Sequence, residues 1–233
     1  MADNRITKKR LKNHFAYSWW KYALAAVLSV MGVSLVFAAT RYEPPADRQL
    51  TVYVLNDYTD AETIQADLWT RIKEAHPEQE ALFVQNIDLT DSSNIYAPMQ
   101  FSTYVAAQQG DVFLIPYDEM LKIVADGPED ALVDLTAYIE SGVIDVSGLD
   151  LSACMMEKPD GTTGIYAVPA DQLYGLRTAY YNDAKGSVLC IPIYSQNQDT
   201  AAEAIRILME LGKGEKPAEQ TEKAEAAQPQ VFR

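Results

Sequence analysis

The sequence predicts an α/β lobe in which a mainly parallel sheet lies between two helical layers, preceded by one membrane-spanning helix. Short, almost continuous apolar runs occur at residues 51–55 (TVYVL), 81–84 (ALFV) and 111–115 (DVFLI), the pattern of strands covered on both faces. Val52, Leu82 and Val112 are spaced thirty residues apart, the length of one βαβ unit. Ahead of them, the eighteen residues 22–39 (YALAAVLSVMGVSLVFAA) carry no charge.

As a helix, that run is about 27 Å long, close to a hydrocarbon core of about 30 Å. Trp19, Trp20 and Tyr22 gather at its start and Phe37 and Tyr42 at its end, where amphipathic rings favour the headgroup layer. Before the run, six basic residues (Arg5, Lys8, Lys9, Arg10, Lys12 and Lys21) face the single acid Asp3, which orients residues 1–21 toward the cytoplasm and the remainder outward. A cleavable signal peptide is the other reading, with Val36 and Ala38 as the small residues before a cleavage point. The long basic lead and the length of the run favour an anchor. Ser18 and Lys21 match a Ser-x-x-Lys spacing by chance, at a membrane surface and without companion motifs.

From Arg41 onward the chain has 13 basic and 32 acidic residues. Such a domain repels phosphate backbones, which excludes nucleic acid as a partner. The hydrophobic share of 48% suffices for a real core. His14 and His76 fall on opposite sides of the predicted span and no Cys-x-x-Cys occurs, so neither a zinc site nor a His-centred triad is supplied. No cofactor is expected. Nor is an enzyme, since the sequence shows no activated nucleophile, paired acid and base or cofactor loop.

Glu43-Pro44-Pro45 lies in a stiff linker, residues 40–49, before the folded domain, residues 50–212. Thr59 and Glu62 form a capping-box pattern ahead of Ile64, Leu68 and Ile72, which share a helical face. Residues 93–109 read as a helix interrupted by Pro98. Residues 118–126 and 131–141 read as two helical pieces. Strands are expected at 164–169, 177–181 and 187–194. Thr200 and Glu203 repeat the capping box before a last amphipathic helix stopped by Gly212. Residues 213–233, rich in Glu, Lys, Ala, Gln and Pro, read as a solvated tail.

Four segments in this order, residues 111–121 (DVFLIPYDEML), 131–145 (ALVDLTAYIESGVID), 164–183 (GIYAVPADQLYGLRTAYYND) and 188–211 (VLCIPIYSQNQDTAAEAIRILMEL), resemble the extracellular solute-binding proteins of ABC importers. The resemblance is to the sugar-binding kind, with a maltose-binding-like type 2 periplasmic fold. It implies a non-enzymatic protein whose partners are a small solute or oligosaccharide, the membrane through residues 22–39, and an importer permease or other membrane protein. It also implies a departure. Family members close two lobes on a solute, whereas only Ala184, Lys185 and Gly186 separate the third segment from the fourth. A single lobe is therefore expected, and the family's lipid-anchored cysteine gives way to the helix.

Ligands of such sheets bind at the carboxyl ends of strands, which nominates Asn56, Asp57 and Tyr58 after the first strand and Tyr117 and Asp118 after the third. Tyr166 and Tyr174, with Tyr180 and Tyr181, add aromatic surface suited to sugar rings. The bland reading stays open for each: Asp57 and Asp118 as loop starters or helix caps, the tyrosines as packing. Trp69 reads as packing or as an exposed contact. Cys154 and Cys190 allow one disulfide, though Cys190 lies in an apolar strand. If solute binding has been lost, the alternative is a non-catalytic scaffold using its open face as a protein interface.

Overall fold

The computed structural model describes residues 8–55, 59–89, 94–182 and 184–213. Two compact units are present, meeting after Glu43. The first is a single helix, α1 (Lys8–Thr40). Its apolar stretch Ala16–Thr40 has a mean hydropathy of 2.2 and none of it is buried in protein. A helix apolar on all sides is a membrane span or a signal helix rather than an amphipathic surface helix. The hydroxyls of Ser29 and Thr40 donate to Ala25 O and Val36 O one turn back, so neither is left unpaired in an apolar surrounding.

The second unit is the α/β lobe. Its sheet contains β1 (Gln49–Val54), β2 (Ala81–Asn86), β3 (Val112–Pro116), β6 (Val168–Pro169) and β7 (Ser187–Cys190) in the order β2-β1-β3-β7-β6. The first three are parallel, with Val52 opposite both Val84 and Val112, as their thirty-residue spacing predicts. β7 enters antiparallel to β3 and to β6. A separate hairpin pairs β4 (Met155–Glu157) with β5 (Thr163–Ile165).

Alternation along the strands divides the core in two. Leu50, Val52, Val54, Leu82, Val84, Val112, Leu114 and Leu189 face α2 (Ala61–Ala75), α7 (Tyr174–Tyr180) and α8 (Gln198–Gly212). Tyr53, Leu55, Phe113, Ile115, Val188 and Cys190 face α3 (Tyr96–Ala106), α4 (Tyr117–Ile123) and the segment around Cys154 and Tyr166. On α2, Ile64, Leu68 and Ile72 are buried at one-turn spacing, each contributing about 1.5–3 kcal/mol of transfer free energy. Trp69 packs at the edge of that core, with Lys73 Nζ 5.5 Å from its ring centroid. On α3, Phe101 meets Phe113 edge to face at 5.4 Å and Tyr104 stacks on Tyr53 at 5.0 Å. Pro98 falls in the first turn of α3, where no intrahelical N–H is required, so the helix is not interrupted.

Several local expectations are corrected. The cap of α2 is Asp60, whose carboxylate accepts from Thr63 N; Thr59 is buried and its Oγ1 accepts from Asn182 Nδ2. The helix α8 begins at Gln198, so Thr200 lies inside its first turn and Glu203 pairs with Arg206. Residues 177–181 are not a strand: Leu173, Leu176 and Tyr180 are buried at helical spacing and form one face at α7. The predicted helix at 131–141 splits into α5 (Pro128–Ala131) and α6 (Thr136–Glu140), because Leu132 is drawn into a bridge with Pro192. Cys154 and Cys190 are buried free thiols.

Candidate functional site

At the carboxyl edge, Tyr117 follows β3 directly. Its N–H donates to Gly186 O at 2.8 Å and its hydroxyl to Ala153 O at 3.0 Å, so the ring is half-buried and tied to the fold. Asp118 is exposed on the first turn of α4, and Tyr174 opens α7, half-buried. Asn56, Asp57 and Tyr58 lie outside the described residues. Tyr166 is 1% exposed within the core and its hydroxyl has no hydrogen-bond partner; burial, with the nearby Asp134 carboxylate, raises its pKa. Tyr180 is likewise buried, its hydroxyl donating to Asp67 Oδ2 at 2.6 Å. Tyr181 is exposed, in a left-handed conformation that ends α7.

A groove of about 400 Å³ opens instead at the amino ends of β1 and β3 and runs onto β2. Its floor is Thr51 and Tyr53 of β1 with Phe83 and Gln85 of β2, and its walls are the loops at 108–111 and 194–196. Carboxamides dominate the lining: Gln49, Gln85, Gln108, Gln109 and Gln196. Among the described residues, none of these five side chains is engaged in a hydrogen bond within the lobe. Phe83 adds a ring that is 41% exposed, and Tyr194 a second one whose hydroxyl donates to Gln109 O at 3.1 Å.

Asp111 is the one charged residue of that lining, and its carboxylate is turned into the protein. Oδ2 accepts from Thr51 N at 2.8 Å, while Oδ1 accepts from Ser195 Oγ at 2.7 Å and Asn197 Nδ2 at 3.2 Å. Asn197 Nδ2 also reaches Ala46 O and Gln49 O, and Gln79 Nε2 donates to Asn197 Oδ1 and Thr200 Oγ1. This buried network clamps the chain entry, β1, β3 and the start of α8 together, and it fixes both walls of the groove. Burial raises the pKa of Asp111 against the opposing hydrogen bonds from Ser195, Thr51 and Asn197. Tyr53 is pushed up to about 12, by burial first and then by Tyr104 and Asp111.

The 108–111 wall is built on unusual backbone. Gln108 has φ +54° and Gly110 φ +104°. At Gly110 a Cβ would lie 2.5 Å from the Phe113 ring and 2.8 Å from Tyr53, so only glycine lets the loop close onto the sheet. Sequence reasoning passed over this site. The signal was present in two places: Gln-Gln-Gly ahead of β3, and the alternation of β2, which sets Phe83 and Gln85 opposite the inward Leu82 and Val84.

Carboxamides both donate and accept, aromatic faces cover C–H surface, and no free cation or anion lines the groove. Such a surface suits an uncharged ligand rich in hydroxyls and is unsuited to phosphates or carboxylates, which require cationic donors. Among the described residues, no group of three or more His, Cys, Asp or Glu side chains could hold a metal ion.

No protein-family model matches the chain, and no curated protein is found similar to it. The solved structures that it resembles are extracellular solute-binding proteins. An extracellular solute-binding protein of family 1 from Alicyclobacillus acidocaldarius shares 18% identity at a TM-score of 0.36, over 55% of this chain and 29% of that one. An ABC substrate-binding protein from Listeria monocytogenes, in complex with cycloalternan, shares 22% at 0.36, over 51% and 28%. An N-glycan transport solute binding protein from Streptococcus pneumoniae shares 20% at 0.35, over 52% and 24%. The matched part spans less than a third of each of these chains.

Proposed function

We propose that this chain is a membrane-anchored, extracellular, non-enzymatic binding protein of the solute-binding type, which holds a neutral carbohydrate in an open groove and serves an ABC importer. The observation that carries the reading is the set of five unengaged carboxamides beside Phe83 and Tyr194. Residues 22–39 are the anchor in this proposal, 1–21 its cytoplasmic end, 40–49 the linker, 50–212 the binding domain and 213–233 a solvated tail. The carboxyl-edge residues Asn56, Asp57, Tyr58, Tyr117, Asp118 and Tyr174 are the second place at which such a solute would be held. Tyr166, buried beneath the surface, would act through packing.

An open groove buries only part of a ligand, so affinity should be low, with Kd on the order of millimolar. The test is calorimetric titration of the full chain in nanodiscs with neutral oligosaccharides. Each lost carboxamide bond should weaken binding by about 0.5–1.5 kcal/mol, so Gln85→Ala with Gln109→Ala should reduce affinity about tenfold or more while Asp118→Ala leaves it unchanged. The converse pattern moves the site to the carboxyl edge. Absence of heat at tens of millimolar ligand rejects solute binding and leaves the alternative, a scaffold that kept the fold. That alternative is favoured by a separate feature, the exposed apolar turn at the start of α3.

A further inference from the structure

We infer that the outer face of α3 is a self-association surface, on which two copies of this chain pair about a two-fold axis. The helix turns Ala97 and Phe101 onto the sheet and leaves Ile95, Tyr96 and Met99 69%, 70% and 64% exposed. These three form one continuous apolar turn, extended by the exposed Gln100, Ser102, Thr103 and Ala106. Contiguous apolar surface of this kind marks a contact.

Charge identifies the occupant. Residues 94–110 contain no Asp, Glu, Lys or Arg, in a region that from Arg41 onward holds 32 acids against 13 bases. The other two long helices of the lobe carry exposed acids, Glu62, Asp67 and Glu74 on α2 and Asp199 and Glu210 on α8. A basic partner would be drawn to those faces and away from α3. A second copy, acidic itself, is repelled by them and can approach closely only where charge is absent. The neutral strip is about 16 Å long at 1.5 Å per residue, roughly twice the screening length of about 8 Å at physiological salt. A two-fold pairing sets this strip against itself, the self-complementary arrangement of an isologous dimer. It uses no residue that lines the groove through its side chain, so it stands apart from the carbohydrate reading.

The contact is small, and dimerisation in the micromolar range or weaker is expected, strengthened when copies share a membrane plane. Sedimentation velocity of the full chain in detergent micelles, across a hundredfold range of concentration, should show a monomer–dimer equilibrium. Raising salt from about 50 to 500 mM should strengthen it, because screening relieves acidic repulsion. Met99→Glu should weaken the dimer at least tenfold, and Thr103→Cys should give a cross-linked dimer on mild oxidation. Met155→Glu, an exposed apolar position on the hairpin, should change nothing. A chain monomeric throughout, a dimer indifferent to Met99→Glu, or a Met99→Glu effect confined to adhesion to lipid vesicles would each overturn the proposal.

Discussion

Asp134 shows how a single carboxylate records its surroundings. Burial opposes its ionisation, yet it accepts from Lys158 Nζ at 2.6 Å, Thr136 Oγ1, Thr136 N and Ile165 N, and its pKa falls to about 2. A depressed pKa gives stability that is present above the unfolded value near 4 and is lost as pH falls toward 2. After allowance for solvent screening, the loss should be about 1–2 kcal/mol across that window. Urea unfolding at pH 5 and pH 2.5 will measure it, and Lys158→Met should flatten the difference. At Gly110 the constraint is steric: with φ +104° and two rings under 3 Å from a new Cβ, Gly110→Ala should cost about 2–4 kcal/mol. An unchanged denaturation midpoint would contradict the backbone argument.

Among the elements, the helix starts are the sharpest test of local reasoning. Asp60 caps α2 through Thr63 N and Oγ1, and Asp60→Ala should lower stability by about 1 kcal/mol. Thr59→Val acts differently, since it removes the buried acceptor of Asn182 Nδ2 and should cost about 1–3 kcal/mol. The pattern Thr-x-x-Glu was legible but pointed one residue too early, because Thr59 was claimed by a partner 123 residues away. The three parallel strands were legible from apolar runs and spacing alone. The helix α7 was not, since Tyr, Arg and Thr favour neither state strongly and only packing of Leu176 and Tyr180 against the sheet decides it.

The lobe as a whole has two cores on one sheet, and its cysteines report whether they open together. Cys154 and Cys190 share the core facing α3. Burial pushes Cys154 up to about 11, with Asp171 and Asp150 adding to it, and raises Cys190 further still. Thiolate is the reactive form, so both should resist thiol reagents at pH 8 in the native lobe and react at the rate of unfolding. Equal protection of the two sites would mark one cooperative unit; early labelling of Cys154 alone would show that its segment detaches first.

From the sequence alone came the alternation of strands and helices, the apolar helix ahead of them, the uneven charge and the neutral stretch at 94–110, because each is a property of neighbouring residues and of simple periods. Tertiary structure decided the rest: that Tyr166 is interior, that Asp111 is spent on a buried clamp, and that glutamines from five separated positions line one groove. Those facts depend on which distant residues the folded chain brings together, and a local pattern holds no record of that.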